Sequence, residues 1–169
     1  MSEHAREALA RQYGAAIDML ENAIVACPDD VWTAGPPWQQ FWYLASHTLF
    51  WLDYYLSGNP EGFRPQPPFG LEEMDPAGVL PPRVYTKEEL LAYLAHDRAR
   101  CREVMLALTD ERAAQPCGYP RRDLTVFGLH MYDMRHVQHH TAQLNLLLRQ
   151  AGHVPPRWVG RSEGTWKGA

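Results

Sequence analysis

Residues 124–151, "LTVFGLHMYDMRHVQHHTAQLNLLLRQA", decide the fold. Leu129, Asp133, His136, His140, Leu144 and Leu147 recur there at three- and four-residue steps, the spacing of one face of an α-helix. Asp123 stands where a cap is needed, and Gly152 where a helix stops. The pattern predicts a helix from about Leu124 to Ala151.

Three more segments read the same way. Glu3–Cys27 repeats apolar residues at Leu9, Tyr13, Ala16, Ile17, Leu20 and Ile24. Pro28 and the following "DD" stop that helix or begin a new turn. After "TAGPP", a second helix is expected from about Trp38 to Leu56, with Pro37 at its start. It is apolar nearly all round, so burial on more than one side is expected. Thr86 and Glu89 form a capping box for a third helix ending near Thr109, with Leu90, Leu94, Asp97, Cys101, Val104, Met105 and Leu108 on one face. A short irregular piece then leads to the last helix. The expected fold is therefore all-α, a four-helix bundle.

Residues 58–85 form a loop carrying seven of the fourteen prolines. A loop of that length is unusual in a compact domain. It suggests either a strap or part of a site's mouth, and a modified up-down-up-down order. The 169 residues are read as one domain, 1–169, with an irregular tail over 152–169. The tryptophans are most simply core; Trp158 and Trp166 of the tail are candidates to cover a site or a dimer seam.

Composition excludes several classes. The net charge is −4, and Lys87 and Lys167 are the only lysines, so no basic groove for nucleic acid is expected. Cys27, Cys101 and Cys117 lack CxxC spacing and are read as reduced thiols. The start is charged, unlike a signal peptide, and the most apolar run, 41–56, is too short to span a membrane. A cytoplasmic protein is expected. The apolar excess of the second helix and the Trp-bearing tail point to a homodimer.

The chemistry sits on the last helix. His136 and His140 are four apart, one turn along one face, the spacing by which a helix offers two imidazoles to one ion. His139 is three from His136 but falls to the side, near Tyr132 and Gln143; the continuity of the apolar face favours His140. A third ligand must come from a facing helix. His47 lies mid-way along the apolar second helix, where an imidazole needs a partner. Asp97 and Asp133 are candidate acceptors for ring N–H groups. Tyr54, Tyr132, Asp133 and Gln143 are candidate pocket groups. His4, His96, His130 and His153 are read as surface or structural.

The pair "LASHTLFWLDYYLSG" and "HVQHHTAQLNLLLRQAG" resembles the DinB/YfiT-like superfamily. There the second motif commonly reads histidine, three residues, histidine, arginine, glycine, glutamine; here Thr141 and Ala142 replace the arginine and glycine, while Gln143 is kept. The resemblance implies a four-helix bundle, often dimeric, with a divalent metal on three histidines, here His47, His136 and His140. Some relatives are transferases or isomerases that use a low-molecular-weight thiol such as bacillithiol or mycothiol. All-imidazole ligation suits zinc, nickel or iron. The expected activity is a metal-dependent, thiol-using S-transferase acting on a small molecule. The alternatives are a metal-dependent hydrolase of a small carbonyl or amide, and a non-catalytic metal- or ligand-binding helical dimer.

Overall fold

The computed structural model describes residues 3–163. Six α-helices follow one another: α1 Glu3–Ala26, α2 Asp29–Trp32, α3 Phe41–Leu56, α4 Lys87–Ala107, α5 Asp110–Ala114 and α6 Val126–Gln150. No strand forms among the described residues. No helix among them is long and apolar enough to cross a membrane. Four helices are long, and they form the bundle. Helix α1 packs on α4 and α6, and α3 packs on the same two, so α1 and α3 lie across a diagonal.

Contacts between helices give their directions. Arg6 Nη1 donates to Leu108 O, Arg98 pairs with Asp18 and Glu21, and Lys87 Nζ donates to Cys27 O, so α1 and α4 are antiparallel. Tyr13 meets Asp133 and Met19 meets Gln138, so α1 and α6 run together. His47 sits beside His136 and His140, and Tyr55 beside Tyr132, so α3 opposes α6. Trp42 meets Tyr85 just ahead of α4, and Asp53 meets Tyr93 and Arg100 further along, so α3 and α4 are parallel neighbours. The order is up-down-down-up.

That order explains the long proline-rich loop. A tight turn joins only antiparallel neighbours. Between parallel ones the chain must travel back along the bundle, here about 24 Å for the length of α3. The crossover, residues 57–86, does so and covers the outer side of α3, where Phe63 packs edge-on against Phe50 and Tyr54; further along, Phe69 stacks on Tyr93 of α4. The apolar excess of α3 is thus satisfied within the chain, which removes it as an argument for a dimer. Of the two tail tryptophans, Trp158 is exposed and Trp166 lies outside the described residues. The tail returns along α1, where Ser162 N donates to Arg11 O and Gln12 Nε2 to Gly160 O.

Several boundaries differ from expectation. Helix α6 is capped by Thr125, whose hydroxyl accepts from Gly128 N, rather than by Asp123. Thr125 sits one residue before the helix, the position from which a side-chain oxygen reaches the first free N–H groups. Pro37 opens a single 3-10 turn, Pro37–Gln39, and α3 begins only at Phe41. The irregular piece after α4 contains α5, capped by Thr109. The capping box of Thr86 and Glu89 forms as read. Gly152 ends α6 with φ +84°, a left-handed conformation that suits glycine.

The interior holds an acidic group. Asp97 and Asp133 are fully buried, and neither Asp97 oxygen has a hydrogen-bond partner among the described residues. Burial pushes both carboxyls well above the ordinary range; for Asp97 the neighbouring Asp53 and Asp133 add to this and Arg100 opposes it. Tyr13 donates a hydrogen bond to Asp133, and Arg100 Nη1 pairs with Asp53 at 2.6 Å. A carboxyl whose folded pKa is raised favours folding while it keeps its proton. That contribution is complete below the unfolded value of about 3.9 and is lost as pH rises through the folded value. The chain is therefore expected to lose stability between about pH 5 and about pH 8 relative to Asp97→Asn, which cannot ionise, by about 1 kcal/mol or more. Urea unfolding at both pH values measures this; parallel curves for the two proteins would refute it.

Candidate metal centre

Three imidazoles converge between α3 and α6. The ring centroids of His47 and His136 lie 5.4 Å apart, those of His47 and His140 4.8 Å, and those of His136 and His140 4.5 Å. One ring nitrogen from each lies within 4.8 Å of the others. The local reason is helical register. The buried stripe of α6 runs through Leu129, Asp133, Val137, Thr141, Leu144 and Leu148. His136 and His140 flank that stripe on the side of α3 and are half-buried. Such a position fixes the rings by packing yet leaves them an open side. His139 is exposed and stands outside the group.

The rings are oriented from outside the trio. Glu73, from a 3-10 turn of the crossover, Glu72–Met74, accepts from His47 Nδ1 at 2.7 Å. Trp51 Nε1 donates to the same oxygen at 3.2 Å, and the Tyr43 hydroxyl also bonds Glu73. Tyr43, His47 and Trp51 are successive turns of one face of α3, so one carboxylate grips that face along two turns. Burial works to raise the pKa of Glu73, but the bond to His47 and its charge prevail and hold it below the ordinary carboxylate value. Gln143 Oε1 accepts from His140 Nδ1 at 2.6 Å. In both rings a proton on Nδ1 leaves the lone pair of Nε2 free.

His136 differs. Its Nδ1 is buried with no hydrogen-bond partner among the described residues. Burial, then the charges of His140 and His47, pushes its pKa down to about 3, and burial and His47 push that of His140 to about 4. Both are neutral near pH 7, the form that binds metal. An orphaned buried imidazole nitrogen beside two oriented rings is a donor set that a divalent cation would satisfy. The residues fit such an ion.

The other expected residues fall elsewhere. Asp97 and Asp133 accept no bond from the histidines: Asp133 lies toward α1, bonded to Tyr13, and Asp97 points into the interior of the bundle. The acceptors on the rings are Glu73 and Gln143 instead. Tyr54 packs among Trp51, Phe63 and Tyr119, away from the rings. Tyr132, one turn before His136, accepts from Arg122 Nη2 at 3.1 Å. Thr141 is fully buried and its hydroxyl donates to Val137 O, so that position sends nothing to the imidazoles. A second close group, Asp53, His96 and Asp97, is a poorer cation site because Arg100 already neutralises Asp53.

Residues 5–144 match the family model described as the DinB superfamily, a span that takes in all three histidines and Gln143. The chain belongs to the DinB superfamily. Among curated proteins, none matches it. Membership agrees with the helical bundle, and the structure adds to the histidine triplet what the sequence motif lacks: Glu73 and its crossover. The glutamate lies in "LEEMD", 26 residues past His47 and outside any periodic segment. Only the length of the loop hinted that it served a site. In this DinB superfamily chain the loop contributes directly to the setting of His47.

Proposed function

We propose that the protein is a metal-dependent enzyme in which His47, His136 and His140 hold one divalent transition metal, zinc, nickel or iron. The observation that carries this is the convergence of three half-buried imidazoles, one of them with a ring nitrogen that has no partner among the described residues. A divalent ion there supplies Lewis acidity, which makes a thiol or a water more acidic near neutral pH. The chain's own residues supply the rest. His136 and His140 arrive neutral, Glu73 and Gln143 fix the His47 and His140 rings, and the half-exposed side admits a small molecule. The crossover forms part of that entrance.

Between a thiol and water as the activated group, the resemblance to thiol-using relatives favours the thiol, and the reaction read here is S-transfer to a small electrophile. The test is a steady-state assay of metal-loaded protein with a small electrophile and bacillithiol, mycothiol or glutathione. Product is expected only when a thiol is present. Turnover of a carbonyl or amide substrate without thiol would make the protein a hydrolase and end the transfer reading.

A further inference from the structure

We propose that Arg122, framed by the hydroxyls of Tyr55 and Tyr132, is a subsite for a carboxylate carried by the small molecule that reaches the three histidines. This deepens the function proposed above and rests on it.

The placement follows from helical register. On α3, positions 47, 51 and 55 are successive turns of one face; on α6, positions 132, 136 and 140 are the same. The two helices oppose each other, so these rows face one another. The histidines occupy one end. Tyr55 and Tyr132 occupy the other, with ring centroids 5.7 Å apart at 89°. Trp51 joins the ends, 6.3 Å from the His47 ring and stacked 5.7 Å from Tyr55. Arg122 enters from the segment between α5 and α6. Its Nη2 donates to Tyr55 Oη at 3.0 Å and to Tyr132 Oη at 3.1 Å. Tyr132 lies one turn, about 6 Å, from His136 along α6.

The chemistry of this cluster is unbalanced. Arg122 has no carboxylate partner among the described residues, and its Nε is buried without any partner. A guanidinium offers five N–H donors in a planar fork suited to a carboxylate. Each tyrosine hydroxyl accepts from Arg122 and so keeps its own proton to donate. Burial holds the Tyr55 hydroxyl up to about 12 despite Arg122, so that proton stays in place near neutral pH. Donors of one kind therefore converge about a turn from the imidazoles, and none of them is matched by an acid. A molecule with a reactive group at the histidines and a carboxylate a few bonds away would complete both.

The test uses the full chain loaded with cobalt(II), whose sulfur-to-metal charge-transfer absorption reports thiol binding without turnover. Titrants are ω-mercaptocarboxylates of about two to six carbons, with 2-mercaptoethanol and cysteamine as uncharged and cationic controls. Wild-type protein is expected to bind the best mercaptocarboxylate about ten- to a hundredfold more tightly than 2-mercaptoethanol. Arg122→Gln should take up cobalt equally and lose that preference, and Arg122→Lys should keep a small part of it. Equal affinity of wild type for charged and uncharged thiols overturns the subsite, and so does a preference that survives in Arg122→Gln. The wild-type comparison decides alone if the glutamine variant fails to fold. Failure of wild type to take up cobalt is a different result: it removes the metal centre itself and the subsite with it.

Discussion

His136→Ala is expected to strip the protein of its metal. Wild-type protein prepared without added metal should carry close to one divalent ion per chain, and the variant close to none. His136 is the ring with the least support, because its buried Nδ1 has no hydrogen-bond partner among the described residues. It lies 5.4 Å and 4.5 Å by ring centroid from His47 and His140, close enough for the three to share one ion. Its removal leaves two imidazoles, one on each helix, too few for a site of the usual three protein ligands. The loss should exceed the roughly 10–100-fold that follows removal of an outer-shell partner. The fold should survive, since the deletion also removes an unsatisfied buried polar atom. Elemental analysis beside circular dichroism measures both; unchanged metal content in a folded variant would refute the centre.

Glu73→Ala is the second large effect. Glu73 ties His47, Trp51 and Tyr43 to the crossover through one carboxylate. Without it the His47 ring loses the acceptor that sets its proton on Nδ1, and metal affinity should fall by about 10–100-fold. Glu73→Gln should fall less, since an amide oxygen still accepts but carries no charge. The pH dependence has a definite sign. A carboxylate whose folded pKa is depressed contributes stability above its unfolded value of about 4.3, and loses it as pH falls through the folded value. The hold on the crossover should therefore weaken in acid below about pH 4, and not in the variant. Competition with a metal chelator at neutral pH, followed by acid titration, checks both parts; wild-type affinity in Glu73→Ala would remove the role given to the crossover.

These residues also show what could be read in advance. His136 and His140 were legible because a helix converts a spacing of four into a shared face. His47 was legible because an imidazole amid Leu44, Phe50 and Trp51 demands a partner. The preference for His140 over His139 followed from the same geometry, and the structure places His139 in solvent. Glu73 was not legible: irregular backbone has no period, so no rule projects residue 73 onto residue 47. Asp97 and Asp133 were recognised as polar breaks in apolar faces, but periodicity says that a side chain turns inward, not which inward neighbour it meets. They meet each other's surroundings rather than the histidines. Arg122 went unread for the reason that hid Glu73, since it lies in the segment between two helices. The four long helices, by contrast, were visible from their stripes, and the length of residues 58–85 already hinted at a departure from simple antiparallel order.

The parallel pairing of α3 and α4 also bears on how the chain assembles. These two helices can touch only after residues 57–86 have closed a loop, and closure entropy is spent before the contacts that offset it exist. Two further connections join helices across a diagonal, so every long helix finds its neighbours at considerable sequence distance. A bundle wired in this way should fold more slowly than an up-and-down bundle of equal length and stability, with its rate set by topology rather than by helix propensity.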